Sequence, residues 1–313
     1  MRARDLRLGA TVAGLFAAAA VCAASSLASA GVGPAGGDTP GATTAPVQSL
    51  LGSYLAGRVA RGQNETEVAA RYYREALARD PGNELLIENA FLMEASEGNW
   101  QEATRLGRIL VEAQPTNRTA NVFMGLVTFA EGKFTDADQH FIAASANPIG
   151  ELTSTLARAW VLQAQGKSAE ALGLLEAPKM PEWAQFFLRY HRALLADVAG
   201  RPADARMAWD RIPQNDLRSL RLSLAFARHA AHRGDAKAAL AALKPLYDKG
   251  KTDAHPAVRQ LYEQIAAGAK TELLIRTPTE GLSEVFYGLG EALAGEGGVA
   301  VGAIYLQFAL FLT

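Results

Sequence analysis

The sequence predicts an all-α solenoid of stacked helix-turn-helix hairpins, and three observations carry that prediction. Ala69, Ala103, Ala137, Ala171, Ala205 and Ala239 recur at one constant interval. Gly98, Gly132, Gly166, Gly200, Gly234 and Gly268 recur on the same step, each five residues before the place of an alanine. Apolar residues between these marks follow helical spacing, and no strand is expected anywhere. A fixed period of this length is the mark of a repeat architecture in which each unit buries its apolar face only by stacking on its neighbours.

The elements follow in chain order. Arg2, Arg4 and Arg7 precede an apolar stretch from Leu8 to Val21, and Ala28, Ser29 and Ala30 supply small residues for cleavage. Residues 1–30 therefore read as a secretory signal peptide, too short in its apolar run to span a bilayer as a helix of about 20 residues would. Cys22, the only cysteine, would leave with the signal. The residues before it, Ala19, Ala20 and Val21, do not form a lipoprotein signal. A mature chain without thiols suits an oxidising compartment, and the periplasm is the expected location. Residues 31–46 (GVGPAGGDTPGATTAP) hold almost no large side chain and are expected to be a flexible linker, since they cannot offset their ordering entropy by burial.

Residues 47–250 are expected to hold six repeats, and the third shows why each mark is needed. Val122, Phe123, Leu126, Val127 and Ala130 form the apolar face of a first helix, helix A. Gly132 ends it, because glycine accepts the left-handed conformation that a helix C-terminus commonly adopts. Helix B resumes at Phe134, and Ala137 faces helix A, where a methyl group lets the axes approach to about 8 Å.

These marks resemble the tetratricopeptide repeat family, whose units repeat every ~34 residues and combine a small residue in helix A, a helix-ending Gly, an Ala and an aromatic in helix B, and a boundary Pro. The first unit supplies Gly57, Ala69, Tyr73, Ala76 and Pro81, the second Ala103 and Pro115, and the third Gly125, Phe134, Ala137, Phe141 and Ala144. The fourth supplies Ala159, Gly166 and Ala171, the fifth Ala193, Ala205 and Trp209, and the sixth Ala227, Gly234 and Ala239. The chain departs from the family pattern at Gly107, where an aromatic is usual, at Pro148, one place early, and at the boundaries of the last two units. The resemblance implies a right-handed α-solenoid, a secreted bacterial protein of this type, and a concave groove lined by A helices that takes extended or helical peptides.

Residues 251–281 are expected to form half a repeat, a helix ending at Gly268 and then an irregular stretch with Pro278. Residues 282–313 restart the spacing as a further, uncapped hairpin. Its last helix, Val299 to Thr313, has no charged residue, so its face is expected to be covered by further repeats or by another chain.

The expected partner is a protein or peptide in the concave groove, contacted by Tyr54, Arg58, Glu88, Asn89, Trp160, Tyr190, His191, Arg221 and Arg228. Phe123 and Leu126 also fall on that face, and the aromatic and arginine types are those most often found as binding anchors. Asn89 and Arg58 occupy places used by the family's clamp for a C-terminal carboxylate, but Thr119 and Phe123 stand where it needs more basic residues. With a net charge of −1 no field favours nucleic acid. His229 and His232 lack the third ligand that a metal needs, so they are expected to be solvated at a helix end, like Glu94, Glu97 and Glu102 around Gly98. No phosphate-binding glycine loop is present, no cofactor is implied, and no catalytic constellation is found. The chain is therefore expected to be a non-catalytic envelope scaffold, the alternative being an accessory subunit of a cell-wall or polysaccharide enzyme system.

Overall fold

Short-range rules place the helices one after another. A computed structural model describes residues 49–176, 180–213, 219–248 and 254–313. The expected signal peptide, Cys22 and the linker lie outside the described residues, all of which fall in the unit Gln48–Thr313. Among them are 15 helices and no strand.

The first twelve helices pair as α1 (Leu50–Gly62) with α2 (Thr66–Leu77), α3 (Glu84–Ser96) with α4 (Trp100–Ala113), α5 (Arg118–Ala130) with α6 (Phe134–Ala143), α7 (Pro148–Ala164) with α8 (Ser168–Leu174), α9 (Glu182–Val198) with α10 (Pro202–Asp210), and α11 (Leu220–His232) with α12 (Ala236–Tyr247). Odd numbers are A helices and even numbers B helices. After α13 (Pro256–Ala266) comes a stretch without helix, then a final hairpin of α14 (Pro278–Gly295) and α15 (Val299–Phe311).

Each periodic mark has a local cause. The six glycines take positive φ between 64° and 84°, and the amide after each bonds to the carbonyl five residues back at 2.8 to 3.0 Å. That is the Schellman closure of helices α3, α5, α7, α9, α11 and α13. One further position keeps the step. Asn64, a full period before Gly98, has φ 60° and closes α1 in the same way through Glu65 N–H to Ala60 O at 2.9 Å. Asparagine is among the few residues that visit this region readily. Helix starts share the ruler too, because Ser49, Asn83 and Asn117 each accept a first-turn amide through their side chains.

The six alanines are fully buried. At Gly125 an added Cβ would lie 2.7 Å from the Phe141 ring, so the aromatic of helix B rests directly on the backbone of helix A. Where the second unit lacks its aromatic, Met124 of the next unit fills the space, its sulfur 3.2 Å from where a Cβ on Gly107 would stand.

The last hairpin does not continue the stack. Repeat six and α13 share their own cluster of Ala227, Ala230, Ala239, Leu243, Val258, Leu261 and Ile265. Leu282, Val285, Phe286, Leu289, Tyr305 and Phe308 belong instead to the larger core, which runs from repeat one to Leu222 and Ala225 at the start of α11. The hairpin thus turns back across the irregular residues and packs on α3, α5, α7 and α9. Cover for the uncharged helix α15 comes in part from the chain's own earlier repeats: Tyr305, Phe308 and Ala309 are buried, while Val299, Val301 and Leu310 stay exposed.

Candidate functional site

The A-helix face is where the partner-contacting residues were expected, and the C-terminal hairpin lies on most of it. α14 and α15 can approach each other closely because Gly290 and Gly302 face one another. A Cβ on Gly302 would lie 2.7 Å from Gly290 O. The resulting ridge of Phe286, Tyr305 and Phe308 is internally packed, with ring centroids 5.7 to 6.1 Å apart.

Three kinds of contact seat it. At one end Phe308 stacks on Phe123 at 5.5 Å, and Phe311 meets the edges of Phe123 and Trp100 at 5.5 and 5.2 Å. In the middle Thr153 Oγ1 and Tyr305 OH are 3.3 Å apart, and Gly281 lies so tightly on Trp160 that any side chain there would overlap the indole. At the other end the buried Glu284 carboxylate accepts from Tyr190 OH at 2.9 Å and from Arg221 Nε at 2.9 Å, with Arg221 Nη2 on its second oxygen. Bidentate guanidinium binding of this kind fixes geometry as well as charge. Arg221 also stands 4.8 Å over the Tyr287 ring, and burial together with the Glu284 carboxylate pushes the Tyr190 hydroxyl well above the usual phenol range. A cavity of about 480 Å³ remains along this end, bordered by Phe186, Phe187, Tyr190, Leu220, Tyr287 and Gly288.

Of the nine residues expected to touch a partner, the structure puts three out of reach. Trp160, Tyr190 and His191 are buried. Trp160 Nε1–H donates to His191 Nδ1 at 3.1 Å, so the ring is a neutral acceptor there, and burial pulls its pKa down to about 3. Arg221 is tied to Glu284. Asn89 is a fifth that is already engaged: its Oδ1 accepts from Arg61 at 2.8 Å and its Nδ2 donates to Leu85 O at 2.7 Å. Phe123 and Leu126 are core. Tyr54, Arg58, Glu88 and Arg228 stay accessible. Arg58 lies over the Tyr54 ring at 5.9 Å, Glu88 accepts from Asn117 at 3.1 Å, and Arg228 donates to Glu272 O at 3.2 Å.

Two expectations about polar residues are corrected. His229 is not solvated: it is buried, its Nδ1 lies 2.7 Å from Asp197 Oδ1, and Trp209 donates to the same carboxylate at 2.9 Å. Glu94 is likewise buried, paired with Arg74 and accepting from Asn99 at 2.8 Å. Both knit one repeat to the next, and their hydrogen-bonded partners offset the cost of burying a polar group there. Among the described residues no group of three or more His, Cys, Asp or Glu could hold a metal ion, and no described helix is long and apolar enough to cross a membrane. Sequence reasoning missed Glu284, Gly281, Tyr305 and Phe308, and only the uncharged length of α15 hinted at a buried seat.

This architecture defines a class, a tetratricopeptide-repeat-like α-solenoid. A solved tetratricopeptide repeat protein from Parabacteroides merdae superposes with a TM-score of 0.56 at 14% identity, covering 84% of this chain and 99% of that one. Weaker likenesses are to pilF of Pseudomonas aeruginosa (TM-score 0.46, 17% identity, 70% of this chain and 97% of that one) and to Naa15/Naa10 bound to HypK-THB (0.38, 16%, 83% and 44%). No family model matches the chain, and no curated protein matches it either.

Proposed function

We propose that the chain is a non-catalytic scaffold that binds protein partners in the assembly of a cell-envelope complex, exported to the periplasm by the signal at its N-terminus. One observation carries the binding reading. The A-helix face of repeats two to six holds a helical hairpin through stacked aromatics and a bidentate carboxylate, which are the contacts that hold a helical ligand. The proposal assigns partner contact to the accessible residues Tyr54, Arg58, Glu88 and Arg228, and assigns Trp160, Tyr190, His191 and Arg221 to the hairpin's seat. Asn89 belongs to the joint between repeats one and two.

The test is co-purification of the mature chain with its own envelope fraction, comparing the native sequence with Arg58→Glu and with Tyr54→Ala. Loss of the same associated protein in both variants, with unchanged circular dichroism, is the expected result. An envelope fraction that yields no associated protein with the native chain would refute the scaffold reading.

A further inference from the structure

Repeat one differs from the others at two positions of its A helix, and the repeat register says what belongs there. Leu55 corresponds, in steps of one repeat period, to Asn89, Phe123, Ala157, His191 and Ala225; Val59 corresponds to Met93, Val127, Val161, Leu195 and His229. All ten later residues are buried. Contacts from the preceding repeat reach four of them: Arg61 on Asn89, Phe91 and Trp100 against Phe123, Trp160 on His191, and Asp197 with Trp209 on His229; Phe123 is covered by Phe308 and Phe311 as well. In repeat one, Leu55 is 47% and Val59 60% exposed, and Leu51, one turn earlier on the same stripe, is 61% exposed.

We infer that this stripe of α1 is a docking surface for an amphipathic helix of a partner protein, one with an apolar ridge flanked by acidic residues. This rests on the scaffold reading. The helical form follows from continuity, because these positions receive a helical repeat in four of the five later copies of the interface. The acidic flank follows from charge. α1 carries no acidic residue, and Arg58, one turn after Leu55 and so beside the stripe, pairs with no carboxylate among the described residues. A second copy of the chain is disfavoured, since two α1 helices laid together would oppose arginine to arginine. Residues 31–46 offer no Leu, Ile, Met or aromatic side chain to fill the stripe.

The test uses the mature chain and two synthetic helical peptides sharing one leucine ridge, one flanked by glutamates and the other by lysines, with binding followed by fluorescence anisotropy. The glutamate peptide should bind at least tenfold more tightly. Leu55→Glu should abolish that binding, Arg58→Glu should reverse the preference, and Leu310→Glu, on the exposed side of α15, should change nothing. Equal affinities for the two peptides, or binding that survives Leu55→Glu, would overturn the proposal. So would a dimer in sedimentation that Leu55→Glu dissolves, since a second copy would then be the occupant. Co-purification of an envelope protein that persists in Leu55→Glu would leave the scaffold reading standing while this surface falls.

Discussion

The A-helix face is closed over repeats two to six and open over repeat one, although the same backbone period builds both. On the closed stretch Phe123, Trp160, Tyr190 and Arg221 meet Phe308, Gly281 and Glu284. On the open stretch Leu51, Leu55 and Val59 are exposed and Arg58 lies over Tyr54 of its own helix. A repeat therefore fixes where side chains point but not what they touch. Occupancy is decided by whichever element can reach: the later units are covered by the preceding repeat and by the chain end that turns back, and among the described residues neither covers Leu55 and Val59 of the first.

The comparison breaks most visibly at its aromatic anchor. Phe308→Ala removes a fully buried ring from the seat and should cost about 3–5 kcal/mol, read as a lowered denaturation midpoint with early loss of protection at α14 and α15 in hydrogen exchange. A loss spread evenly over all repeats would mean that the hairpin is no separate layer. Glu284→Ala leaves Tyr190 OH and Arg221 without their acceptor; because Arg221 is partly exposed and can turn to water, the cost should be about 2–3 kcal/mol. Chemical denaturation of that variant at two salt concentrations would show a smaller salt effect than in the native chain if the pair matters.

The closed stretch should also be sensitive to acid. Burial lowers the His191 pKa from the usual 6.5 to about 3, so below pH 6.5 the unfolded chain takes up a proton that the folded chain refuses. Stability is then complete well above pH 6.5 and falls as the pH drops toward 3, with about 2 kcal/mol lost by pH 5 as the slope approaches that of one proton. His140, half-buried with its pKa also lowered by burial, adds to the same trend. Denaturation of His191→Asn across that range should show a shallower slope, and an unchanged slope would place the proton elsewhere. The smallest effect is expected on the open stretch: Leu55→Glu should alter stability by less than about 0.5 kcal/mol, and a larger loss would mean that α1 is already covered.

Legibility in the sequence follows the range of the cause. Gly132 and Ala137 were readable because a left-handed helix end and a close helix approach are local demands that only certain residues meet. Asn64, Ser49, Asn83 and Asn117 sit on the same ruler and were missed because asparagine and serine serve many roles, so their period is quieter than that of glycine. The Glu284 seat was not readable. Its partners Tyr190 and Arg221 lie 94 and 63 residues away, and no local spacing connects them. Trp160 reads as a groove residue for a sound reason, since it does face the groove. What the period could not say is that Gly281 lies on it.

Side-chain oxidation by hydroxyl radicals, read by mass spectrometry on the folded mature chain, tests the division between closed and open stretches in one measurement. Trp183, 48% exposed on α9, supplies an internal standard of the same chemistry as the buried Trp160. Trp183, Leu51 and Leu55 should label fast while Trp160, Phe123 and Phe308 are protected, whereas labelling of Trp160 and Phe123 at the rate of Trp183 would mean that the hairpin does not close that stretch.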